Sequence, residues 1–243
     1  MVRYYTTMDT SSDNTTPHAA QSVQQSGAHS NSQSKPQPNS HPDFQLDQAQ
    51  LDQALTCLRS GQVVAFPTDT VAGLGVAVDY VTSPQQLYDI KGRDARKPIA
   101  WLVSSPADLA LYGTKLPSFA PALAQQFWPG PLTLVVTASS RVPVAFASDQ
   151  GSIGLRMPQH PVPLTLALAL GCPLATTSAN PSGEQAPGAS ASIEPTLRQT
   201  AAFVIEGGQQ ASGLASTVVD CTSTKPVILR EGSITAAEIS ACL

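Results

Sequence analysis

The chain has 243 residues, a formal net charge of -4, and 12% charged against 42% hydrophobic residues. That acidic balance argues against a protein that coats nucleic acid by general phosphate attraction. No apolar run approaches the roughly 18 residues that would suggest a membrane span.

Residues 1–43 are crowded with Ser, Thr, Gln, Asn, Pro and His and hold almost no large aliphatic side chains. Such a segment cannot bury enough apolar surface to offset its ordering entropy, so it is read as a disordered low-complexity tail. It has no apolar core of a secretory signal, and Asp9 and Asp13, with Arg3 its one arginine, fit a transit peptide poorly. Residues 44–243 fit one domain.

In that domain, Leu46, Ala49, Leu51, Ala54, Leu55 and Leu58 recur at near-helical spacing, and Gly61 suits a helix stop. Val63–Phe66 reads as a short buried strand stopped by Pro67. The connection through Gly73 and Gly75 is read as a loop, with Val76–Val78 as the next strand. Ser83 and Pro84 predict a helix start, with Ser83 as cap and Pro98 as the end. Ile99–Val103 reads as a strand, Ser105–Gly113 and Phe119–Phe127 as helices, and Leu132–Val136 as a strand after the rigid Trp128-Pro129-Gly130-Pro131 turn. Residues 139–151 look like an exposed loop. Ser152–Pro158 reads as a strand and Leu164–Leu170 as a helix. A buried strand over 171–175 then empties into Thr176-Thr177-Ser178-Ala179-Asn180-Pro181-Ser182-Gly183. A helix over 190–199, strands over 203–205, 216–220 and 227–230, and a last helix capped by Thr235 complete the chain. Strands alternating with helices, some close enough to pair antiparallel, predict an α/β domain with a mixed, twisted, open sheet.

Three features carry chemistry. Lys91, Arg93, Arg96 and Lys97 fall within one short stretch of a sparsely charged domain. A helix C-terminus accounts for one or two cations; four point to a polyanion such as a triphosphate or RNA. Arg156 sits in an apolar strand, where an unpaired guanidinium is costly, so it should meet a carboxylate of the protein or of a ligand. The 176–183 stretch puts small hydroxyl and amide groups at a strand end, where α/β proteins bind ligands. Taken alone, it is better read as an ordinary turn. Cys57, Cys172, Cys221 and Cys242 follow neither a zinc nor a disulfide-framework spacing and are read as reduced thiols of a cytoplasmic protein. His160 is the single histidine of the domain, which leaves a histidine metal centre or a Ser-His-Asp hydrolase poorly supported.

Several stretches taken in order resemble one family. They are Pro67-Thr68-Asp69-Thr70 with Gly73-Leu74-Gly75, Lys91-Gly92-Arg93 with Lys97-Pro98, Trp128-Pro129-Gly130-Pro131-Leu132-Thr133, Leu155-Arg156-Met157-Pro158, Thr177 to Gly183, Ser216-Thr217-Val218-Val219-Asp220, and Leu229-Arg230-Glu231-Gly232. Together they are similar to the YrdC-type L-threonylcarbamoyladenylate synthases in their short, single-domain form.

The resemblance implies a YrdC/RibB-like fold, with helices flanking a deep, positively lined cavity. It also implies an enzyme that makes L-threonylcarbamoyl-AMP and pyrophosphate from L-threonine, bicarbonate and ATP, with Mg2+ accompanying the nucleotide rather than held in a protein cage. A separate transferase complex would then modify tRNAs that read ANN codons, and direct tRNA contact is a further expectation. Matched position by position, Lys91 and Arg93 would be catalytic. Arg93, Lys97, Ser152, Ser178, Asn180, Ser182 and Arg230 would hold ATP, and Thr70, Arg156, Thr176 and Ser216 would hold threonine. The chain departs from the family pattern at Ala72, where many members carry an aromatic residue, at Leu102, where some have histidine, and at Ala186, where some have a small polar residue. Two rival functions are an RNA-binding module on the same fold and a different carbamoyl-adenylating enzyme that lacks the threonine pocket.

Overall fold

Apolar residues at helical spacing bury Ala54, Leu55 and Leu58 of α1 (Gln48–Arg59), and Asp47 caps its start by accepting from the Ala49 N–H. The computed structural model describes residues 46–92, 99–180, 193, 195–207 and 211–243. The expected disordered tail, Arg93, Arg96, Lys97, Ser182 and Ala186 lie outside the described residues. Pro42–Leu243 forms one compact unit.

After α1 come β1 (Val64–Phe66), β2 (Gly73–Ala77), α2 (Gln85–Lys91), β3 (Ala100–Leu102), α3 (Asp108–Tyr112), β4 (Gly113–Thr114), α4 (Phe119–Phe127) and β5 (Leu132–Ala138). They are followed by β6 (Ser152–Arg156), α5 (Pro161–Leu170), β7 (Leu174–Ser178), α6 (Pro195–Thr200), β8 (Phe203–Val204), β9 (Thr217–Asp220), β10 (Val227–Arg230) and α7 (Ala236–Ala241). Among the described residues the strands form one open, mixed sheet in the order β10-β9-β5-β6-β3-β7-β2-β1-β8, with β4 on β5. The β3–β6, β5–β9 and β1–β8 pairs are parallel and the others antiparallel. The mixed, open sheet expected from the sequence is therefore the one observed.

Side chains alternate across each strand. On one face, Trp101, Leu134, Ile153 and Leu155 enter the apolar core. The other face turns Ala100 and Leu102, Thr133 and Val135, Gly154 and Arg156, and Thr176 and Ser178 toward a cavity. Short side chains along the middle strands thus give the cavity its depth.

Local readings differ from the structure in several places, among them the start of α2, where Pro84 rather than Ser83 is the N-cap. Gly73 and Gly75 belong to β2 rather than to a loop, and Val78 begins a 3-10 turn. A Cβ on Gly75 would stand 2.8 Å from the Phe66 ring, so the glycines make room for that ring on the neighbouring strand. Helix α2 ends at Lys91, where Gly92 turns left-handed at φ 54°, ahead of the expected stop at Pro98. The 139–151 loop is not wholly exposed: Phe146 is buried, and its ring meets that of Trp101 edge-on at 5.5 Å. Helix α5 starts three residues earlier than its leucines suggest. His160 caps it by accepting at Nδ1 from the Val162 N–H at 3.2 Å, and Pro161 fits the first turn. Burial pushes the His160 imidazole down to about 4, which keeps it neutral and able to accept. Finally, β7 extends through Ser178, because β2 pairs with it as far as Gly73 opposite Ser178, while β3 pairs with it up to Thr176.

Candidate active site

The turn after β1 is folded by Thr68. Its Oγ accepts from the N–H groups of Thr70 and Val71 and donates to the Val71 carbonyl at 2.6 Å. This local loop presents Asp69 and Thr70 to β6. There Arg156 is 6% exposed and engages three acceptors. Its Nη2 donates to Asp69 Oδ1 at 2.5 Å, its Nη1 to Thr70 Oγ at 2.7 Å, and its Nε to the Gly130 carbonyl at 3.1 Å. The carboxylate that an arginine in an apolar strand demands is therefore Asp69. Gly130 reaches Arg156 because the Trp-Pro-Gly-Pro turn packs tightly; a Cβ there would lie 2.4 Å from the Phe127 carbonyl oxygen. Trp128 anchors that turn, donating from its indole to the Leu132 carbonyl at 2.8 Å. A guanidinium has five N–H donors. With three engaged, one remains on each terminal nitrogen, and Arg156 lines the cavity.

A second guanidinium approaches from the edge of the sheet. Arg230, on β10, donates from Nε and Nη2 to the Ser216 carbonyl at 3.0 and 2.9 Å and from Nη2 to Ser216 Oγ at 3.1 Å. Ser216 Oγ also pairs with Thr133 Oγ at 2.8 Å. Burial holds both arginines below their ordinary values; for Arg156, Asp69 opposes this and Arg230 adds to it. Two like charges facing one space favour an anion between them.

The cavity has a volume of about 670 Å3, within the ~300–1,000 Å3 range of small-molecule sites. It gathers Thr70, Arg156, Thr176, Ser178, Asn180, Ser216 and Arg230 from the sequence-derived set. Ala72 and Leu102 line it with apolar surface. Ser152 is placed elsewhere. It lines a small side recess with Ser148 and Asp149 and pairs its hydroxyl with Ser148 Oγ at 2.8 Å. Lys91 also stands behind the wall, buried. Its Nζ donates to the Ser178 carbonyl at 2.7 Å, to Asn180 Oδ1 at 2.9 Å and to the Asn180 carbonyl. Ser178 Oγ donates to Asn180 Oδ1 at 2.5 Å, so Lys91 ties the end of β7 into a fixed shape.

Asp69, Thr68 and Thr133 join the site although the sequence reading gave them no role. The demand of Arg156 for a carboxylate was the available signal for Asp69. The segment 211–215 also closes on the site: the Ser212 N–H donates to the Asp69 carbonyl at 3.1 Å and the Gly213 N–H to that of Thr70 at 2.9 Å. Among the described residues no group of three or more His, Cys, Asp or Glu converges as a metal site. None of the described helices is long and apolar enough to cross a membrane.

The Sua5/YciO/YrdC family model, described as telomere recombination, matches residues 56–232. The chain belongs to the Sua5/YciO/YrdC family. A Pyrococcus abyssi (strain GE5 / Orsay) protein named threonylcarbamoyl-AMP synthase is 36% identical over 182 residues, covering 75% of this chain and 54% of its own length. A Vibrio cholerae O1 (El Tor Inaba N16961) protein of the same name is 35% identical over 184 residues, covering 75% of this chain and 97% of its own length. A crystal structure of P. abyssi Sua5 complexed with L-threonine superposes with a TM-score of 0.75 at 34% identity, covering 79% of this chain and 57% of that one. The chain thus spans about half the length of the Pyrococcus relative and nearly all of the Vibrio one.

Proposed function

We propose that the protein is an L-threonylcarbamoyladenylate synthase, a nucleotidyltransferase that joins L-threonine, bicarbonate and ATP. The observation that carries this reading is the cavity lined by both Arg156 and Arg230, in a family whose relatives bear that name. The two N–H groups left on Arg156 fit a carboxylate fork. Thr70, Thr176 and Ser216 offer hydroxyls for the remaining polar groups of threonine. Arg230, Ser178 and Asn180 line the part of the cavity assigned to phosphate, with Arg93, Lys97 and Ser182 as expected companions. Lys91 acts there by fixing the Ser178–Asn180 loop.

In the reaction, the threonine amine bonds to CO2 derived from bicarbonate, losing a proton to give a carbamate. A carbamate oxygen then attacks the α-phosphorus, and the bond to the bridging oxygen breaks, releasing pyrophosphate with its electron pair. No protein nucleophile is required. The chain contributes orientation and charge compensation. Mg2+ enters as part of Mg-ATP, through the phosphates. The product would pass to a transferase complex acting on tRNA in the cytoplasm.

The experiment is incubation of the full chain with labelled threonine, bicarbonate and Mg-ATP. Threonine-dependent pyrophosphate release, with threonylcarbamoyl-AMP identified by mass, is expected. Release without threonine would assign the chain to another carbamoyl-adenylating activity. RNA binding with no release would assign it to the RNA-binding class.

A further inference from the structure

Asp69 is a charged residue that meets a cavity arginine without lining the cavity itself. It does not line the cavity, yet it forms the ion pair with Arg156, both side chains being well buried at 14% and 7% exposed. The three acceptors around Arg156 differ in kind. Gly130 offers a backbone carbonyl and Thr70 a hydroxyl, each neutral; Asp69 alone brings a charge. Charge-assisted bonds of this type are about twice as strong as neutral ones and fix the guanidinium plane.

Asp69 is itself held from several sides. Thr68 folds its turn, and the Asp69 carbonyl accepts from Ser212. Its carboxylate therefore presents a preset direction. Burial acts against the Arg156 charge, and Asp69 opposes that effect in part.

We propose that Asp69 is a positioning residue: it sets the plane of Arg156 so that the two remaining terminal N–H groups face the cavity, and so governs affinity for the amino-acid carboxylate without contacting the substrate. This rests on the synthase reading above. A carboxylate that instead competed with the substrate for Arg156 would have the opposite effect, so the sign of the change is decisive.

The test compares D69A and D69N in the full chain. Asparagine keeps an oxygen acceptor at nearly the same place without the charge, and so keeps the site testable where alanine leaves Arg156 unpaired. The readouts are the KM for threonine, the KM for ATP, kcat, thermal stability and the Arg156 Nε–H signal in 15N-labelled protein, assigned through R156K. Expected is a threonine KM raised about tenfold or more in D69A and less in D69N, with ATP KM within about twofold and kcat little changed, the pattern of lost uniform binding. The Arg156 signal should shift and broaden in the same order. A threonine KM that is unchanged or lower in folded D69A or D69N overturns the proposal, as does a kcat loss at constant KM. If the wild-type chain shows no threonine-dependent release, the synthase reading fails by itself. The Arg156 signal then decides alone, and an unaltered signal in both variants overturns the positioning role.

Discussion

Two arginines approach the same cavity from strands of different rank, and they are held in opposite ways. Arg156 lies on β6, well inside the sheet, and closes its charge on Asp69. Arg230 lies on β10, an edge strand of the sheet, and among the described residues it donates to the carbonyl and hydroxyl of Ser216. The inner arginine had to be neutralised by the protein before the fold could bury it. The outer one keeps its charge available because the edge of the sheet leaves it half in solvent. The inner wall should therefore couple stability to function, and the outer wall should serve function alone.

The sharpest way to break this comparison is to truncate each arginine. Arg156→Ala leaves Asp69 without its partner and should cost about 3–5 kcal/mol of stability together with threonine-dependent turnover. Chemical denaturation alongside the pyrophosphate assay checks both; a fully stable, inactive variant would show that the inner pair is not structural.

Acid should loosen the inner wall in a defined window. His160, close enough to feel the charge of Asp69, has a folded value of about 4 against an ordinary 6.5. The unfolded chain takes up the proton first, so stability is full above about pH 6.5 and falls as pH drops toward 4, by up to about 3 kcal/mol. Melting temperature followed across that range should lose much of its slope in His160→Gln; an unchanged slope would place the sensitivity elsewhere.

Gly75→Ala puts a methyl group 2.8 Å from the Phe66 ring. It should cost about 1–3 kcal/mol, with part recovered when Phe66→Leu is added. Arg230→Ala is expected to have the smallest effect on stability, within about 1 kcal/mol, since it leaves no buried charge behind. It should nonetheless raise the KM for ATP about tenfold or more.

Legibility in the sequence followed the range of the interactions. The family resemblance pointed to Thr70, Thr176, Ser178 and Ser216, and all four line the cavity. Helix α7 was readable because Thr235 and Glu238 form a local capping box. Contacts between distant segments were not. The pairing of Asp69 with Arg156 joins residues 87 positions apart, and no local pattern encodes it. Phe146 hid in a polar loop because its burial depends on Trp101, from another strand. Lys91 stood out as a cation, but its direction is set by the carbonyls of Ser178 and Asn180, which only the fold brings to it.

The division of labour between the two arginines is tested most directly by steady-state kinetics of Arg156→Lys and Arg230→Lys, which keep charge and remove the planar fork. The predicted result is a raised threonine KM with near-normal ATP KM in the first, and the reverse in the second. Equal changes in both constants for both variants would contradict the assignment of threonine to the inner wall and nucleotide to the outer one.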